Sequence, residues 1–69
     1  MDADTLFDSL TDRLATARTL ALMGDHDEAR SLLASARADF EEWREVLAGY
    51  AGVEAMEHSL RVTEEAMKQ

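Results

Sequence analysis

The feature that most constrains this chain is a helix stop and a helix start set side by side in Leu22-Met23-Gly24-Asp25-His26-Asp27-Glu28-Ala29. Gly24 follows a run with apolar residues at helical spacing, and glycine enters the left-handed conformation that ends a helix without a Cβ penalty. Asp25, with Glu28 three positions on, reads as a capping box: the Asp carboxylate accepts from a first-turn amide while Glu28 reaches back. Asp27 and Glu28 add negative charge at the positive end of the new helix dipole. A link this short forces the two helices to lie antiparallel.

The arms on either side carry matching seams. The chain has no proline and is rich in good helix formers, so strands are not expected. The first arm, residues 3–23, places Ala3, Phe7, Leu10, Leu14, Ala17 and Ala21 at alternating four-three spacing, widened by Leu6 and Leu20, with Thr5 or Asp4 as its cap. The second arm, residues 26–48, continues with Ala29, Leu33, Ala36, Phe40, Trp43 and Leu47, widened by Leu32 and Val46. Folding at the turn pairs Ala21 with Ala29, Ala17 with Leu33, Leu14 with Ala36, Leu10 with Phe40 and Phe7 with Trp43. Small side chains thus meet near the turn and aromatic ones at the open end, the volume matching that a packed core requires. In the same register Leu6 faces Val46, Arg13 faces Asp39 and Leu20 faces Leu32, an apolar band with one ion pair in its middle. On the opposite side Asp4 can face Arg44, but Arg18 meets Arg30, and that side reads as solvated.

Gly49-Tyr50-Ala51-Gly52 ends the second arm, because two glycines in four residues cost a helix about 2 kcal/mol relative to alanine. A third helix over residues 53–68 then presents Val53, Met56, Leu60, Thr63 and Met67 on one face and should return along the Leu6, Leu20, Leu32, Val46 band. The expected fold is all-α: a small three-helix bundle, hairpin 3–23/26–48 plus helix 53–68, forming a single helical domain 1–69. The alternative is a two-helix hairpin whose long second helix is kinked at the glycines, two such chains dimerising into a four-helix bundle.

Residues 17–36 resemble the junction between the two helices of a tetratricopeptide repeat. The likeness is carried by Gly24-Asp25, Glu28-Ala29, Leu33 and Ala36, with Ala17 and Leu20 in the preceding helix. The chain departs from that family in having no terminating proline, a longer second helix and no second copy at the repeat length. Repeat units need neighbours to bury their faces, so the resemblance implies a lone hairpin of this type, with a role in protein binding and no catalysis.

The function classes are narrowed by charge and by what is missing. Seven Lys and Arg against fifteen Asp and Glu leave a net charge of −8, which repels phosphate backbones and anionic lipid surfaces. No direct nucleic-acid or membrane partner is expected; a basic protein partner suits the charge, as plain solubility does. Without cysteine there is neither a disulfide nor a thiolate metal site. No signal peptide or membrane span is read in the first 30 residues, so a cytoplasmic location is expected.

Glu54 and His58, four apart on the third helix, offer two ligands, but a carboxylate-bridged metal site needs Glu-x-x-His and further inward glutamates. His26 sits among Asp25, Asp27 and Glu28, acids that helix-start capping already explains. No nucleophile stands with a recognisable base and orienting partner. The sequence therefore points away from an enzyme and from any cofactor or metal, toward a protein–protein interaction module: a small acidic adaptor, regulator or assembly subunit. Its expected contact residues are Tyr50, Val53, Met56, Leu60 and Met67, with the outer acidic patch Glu41, Glu42 and Glu45. A core this small is expected to be completed by self-association as a homodimer. The rival expectation is an acidic inhibitor, for example a phage-encoded one, that occupies a basic nucleic-acid-binding groove on its target.

Overall fold

Asp2 opens the first helix, its carboxylate accepting a 2.8 Å hydrogen bond from the Thr5 amide. The cap therefore lies two residues ahead of Asp4, and that bond holds the Asp2 carboxyl below its ordinary range. The computed structural model describes residues 2–68 and contains helices α1 (Ala3–Leu22), α2 (His26–Glu42), α3 (Arg44–Leu47) and α4 (Val53–Met67). The chain is a small all-α bundle in which α1, α2 and α4 pack on one core, and no strand occurs among the described residues.

The turn between α1 and α2 forms as the sequence dictates. Gly24 has φ 89°, a left-handed conformation. The Asp25 amide donates to the Leu20 carbonyl at 2.9 Å and the Gly24 amide to the Ala21 carbonyl at 3.1 Å, the paired bonds of a Schellman stop. Asp25 is the N-cap of α2, but its side chain makes no capping bond. The expected capping box does not form. Asp25 beside Glu28 instead holds the Glu28 carboxyl above its ordinary range, by side-chain hydrogen bonding and by charge repulsion.

Leu6, Leu10, Leu14 and Ala17 of α1 meet Ala29, Leu33, Ala36 and Phe40 of α2 in the buried core, with Ala17 and Ala29 fully covered. The core stripe of α1 is turned slightly toward Leu6, leaving Ala3, Phe7 and Ala21 partly buried at its edge. The expected Arg13–Asp39 pair is present at 2.7 Å.

The second arm is not one helix to residue 48. It breaks at Trp43 (φ −104°, ψ 17°) and resumes as α3. Nothing in Glu42-Trp43-Arg44 disfavours a helix, so the break is tertiary in origin: it buries Leu47 completely and leaves Val46 51% exposed. Trp43 is half-buried against the core, and Phe7 stacks on Tyr50 instead, with ring centroids 4.9 Å apart.

After Gly52 (φ 90°), α4 returns parallel to α1 and antiparallel to α2. Met56, Leu60, Thr63 and Met67 are buried, the face the sequence assigns. The side it covers is the reverse of the one expected. Its neighbours are Arg18 of α1 and Arg37 and Arg44 of α2, the flank read as solvated, while the flank bearing Leu20, Leu32 and Val46 is left without a third helix. On this side Glu57 and Glu64 of α4 meet Arg44 and Arg37, whereas on the opposite flank Arg13 is already joined to Asp39.

Candidate functional site

Helix α4 is attached very differently along its two edges. Toward α2, Arg37 grips Glu64 with two bonds, Nη2 to Oε1 at 2.5 Å and Nε to Oε2 at 3.1 Å, a bidentate guanidinium–carboxylate pair. Arg37 also reaches Glu41 at 3.2 Å, and these carboxylates raise its pKa further. Arg44 reaches Glu57 at 3.9 Å while lying over the Phe40 ring, 5.2 Å from its centroid.

Toward α1 the helix presents small side chains. Ala55, Ser59 and Ala66, with Val62 between, face Phe7, Thr11, Leu14, Arg18, Ala21 and Leu22 across an open groove. Alanine and serine are too short to fill the space between two helices, so two open clefts lie along the α1–α4 edge and meet at Arg18, which crosses to Thr63. Their floors are formed by Met56 and Met67 from the core. At the far end of the groove Leu22 of α1 is 89% exposed, and Val62 on the facing side is 50% exposed.

Arg18 lines both halves of this groove. Its Nε donates to the Thr63 hydroxyl at 3.2 Å, and that hydroxyl donates in turn to the Ser59 carbonyl at 2.8 Å. Among the described residues Arg18 is the one Lys or Arg without a carboxylate partner; Arg13, Arg30, Arg37, Arg44, Arg61 and Lys68 all have one. The groove thus carries a single uncompensated cation where its two halves meet.

The Phe7 end is acidic. The Tyr50 phenol donates to Asp4 and feels the charges of Asp8 and Asp2, which together raise its pKa. Asp4, Asp8 and Asp12 follow one another at four-residue spacing on exposed positions of α1, and Glu54 sits in the first turn of α4. Gly52 closes this end against Phe7: a Cβ built on it would lie 3.5 Å from the ring.

The contact residues expected from the sequence are distributed otherwise. Met56, Leu60 and Met67 lie 6%, 1% and 7% exposed and are taken up by the chain's own core. Val53 is partly buried against that core, and Tyr50 is half-buried on Phe7. The carboxylates of Glu41, Glu42 and Glu45 are exposed, but Glu41 is held by Arg37 and Arg44, which keep its carboxyl below the ordinary range. Arg18, Leu22, Val62 and Ala66 were not singled out by sequence reasoning; the one signal was that Arg18 opposed Arg30 and so lacked a partner within the hairpin.

Glu54 and His58 are exposed on the outer side of α4. Among the described residues no group of three or more His, Asp or Glu side chains is placed to hold a metal ion, and no helix is long and apolar enough to cross a membrane. No family model matches the chain, and neither a curated protein nor a solved structure is detectably similar to it.

Proposed function

We propose that this chain is a non-enzymatic protein–protein interaction module that receives a helix of a partner protein in the groove between α1 and α4. The observation that carries this is the apolar cleft in which Ala21 and Leu22 of α1 face Val62 and Ala66 of α4, open to solvent beside a buried core. A helix laid there meets apolar surface on two sides and completes a four-helix arrangement, the mode by which amphipathic helices are held in grooves. The likeness of residues 17–36 to a tetratricopeptide hairpin supports the same class of role.

The groove is favoured over the Glu41, Glu42, Glu45 patch, and so over an acidic inhibitor of a nucleic-acid-binding protein, because Glu41 is already neutralised by two arginines. A homodimer through Met56 and Leu60 requires α4 to leave the hairpin first, since both side chains are covered.

Val62→Asp tests the proposal, because it places a charge on the groove wall at an exposed position without touching the core. Affinity capture from the source cell should recover at least one protein with the wild type and with a Glu45→Lys control that is lost with Val62→Asp. Identical recovered sets for all three chains refute the groove as the contact surface.

A further inference from the structure

The groove's charges specify its occupant. From Phe7 to Leu22 it follows α1 for about 22 Å at 1.5 Å per residue, with Asp4 on its rim beside the Phe7–Tyr50 stack, Arg18 roughly two-thirds of the way along and an apolar far end. Arg18 keeps its terminal guanidinium nitrogens free of carboxylates while its Nε is anchored to Thr63. An apolar helix face covering Arg18 without compensating it would strand a charge away from water, which is strongly unfavourable. A carboxylate at that point satisfies it with the planar pairing that arginine favours.

Building on the groove assigned above, we infer that the partner is an amphipathic helix carrying one Asp or Glu on its apolar face opposite Arg18 and Lys or Arg at the end that meets Asp4 and Asp8. A second copy of this chain suits the groove less well, because no carboxylate among the described residues lines its own groove to meet Arg18 and each protomer carries a net charge of −8.

Two synthetic helical peptides of about 16 residues test this. They share a Leu/Ala face and a lysine-rich end and differ only in the residue of that face opposite Arg18, Glu or Lys. Dye-labelled peptide anisotropy should show the Glu peptide binding wild type at least about tenfold tighter than the Lys peptide. Arg18→Glu, on the exposed surface and checked for unchanged helicity, should reverse the order. Amide shifts should map to Ala21, Leu22, Val62 and Ala66.

Equal affinities with those shifts overturn the charge assignment and leave the groove standing. No binding of either peptide, or shifts confined elsewhere, overturns the groove and the inference together. Light scattering that shows a dimer abolished by Val62→Asp makes a second copy the occupant and also overturns the inference.

Discussion

The two edges of α4 are built from the same helix yet by opposite means. The edge toward α2 is bridged by charge, with Arg37 bidentate on Glu64 and Arg44 near Glu57, and it opens only beyond Glu64, where Arg30, Ala34 and Lys68 line a cleft. The edge toward α1 is left open by size, with Ala55, Ser59 and Ala66 in place of long side chains and one hydrogen bond, Arg18 to Thr63, across it. A small bundle can therefore fix a third helix along one seam and keep the other as a template for a fourth. The core between the edges serves both. Leu60 is 1% exposed at its centre, so Leu60→Ala should cost about 2–5 kcal/mol in chemical denaturation and loosen α4 on both sides. A loss below about 1 kcal/mol, near the level of an ordinary surface change, would mean that α4 is not docked on the hairpin.

The next effect separates the two glycine turns. Gly24 and Gly52 both have positive φ, but a Cβ on Gly24 meets open space whereas one on Gly52 reaches Phe7 at 3.5 Å, an ordinary contact distance. Gly24→Ala and Gly52→Ala should each cost about 1–2 kcal/mol from the left-handed backbone alone. Gly49 has no positive φ, so Gly49→Ala should be neutral or mildly stabilising. Only Gly52→Ala should also shift Phe7 resonances, because it alone adds an atom beside the groove's acidic end.

The edges themselves are compared by removing their arginines one at a time. Arg37→Ala unpairs the partly buried Glu64 and should cost about 1 kcal/mol, less in high salt. Arg18→Ala removes a side chain that has no carboxylate partner among the described residues, and its cost should stay within about 0.5 kcal/mol at any salt concentration. If the two variants lose equal stability with equal salt dependence, the edges are not distinct.

Much of this was legible in the residues. The Gly24 stop, the Leu10, Leu14, Leu33 and Phe40 core, the Arg13–Asp39 pair and the inward face of α4 follow from spacing and turn chemistry, which are local or pairwise quantities. The side of the hairpin that α4 covers was not legible. It depends on which arginines remain after the hairpin has formed its own pairs, and the Leu20, Leu32, Val46 band looked the more apolar choice. The groove stayed hidden with it, because a row of alanines and a serine becomes a trough only once the opposite helix is in place. The break at Trp43 had no local signal, and with α3 redirected Phe7 took Tyr50 in place of Trp43.

Tyr50 gives the smallest effect and reports on the one polar tie at the groove's acidic end. Its phenol donates to Asp4 and faces Asp8 and Asp2, so its pKa is raised above the ordinary value of 10.0. A phenol that holds its proton more tightly folded than unfolded contributes stability that is present below the unfolded pKa and lost as pH rises through the folded one. Tyr50→Phe keeps a ring to stack on Phe7 and removes the hydroxyl. The stability difference between wild type and Tyr50→Phe should therefore stay constant through neutral pH and shrink only above about pH 10. Asp4→Asn removes the charge that disfavours the phenolate and should lower the phenol's midpoint in an absorbance titration. If Asp4→Asn leaves that midpoint where it was, the phenol is not tied to Asp4 and only the Phe7 stack joins the linker before α4 to α1. The placing of Asp4 at the groove's acidic end would then be set by α1 alone, and would no longer depend on the chain between α3 and α4.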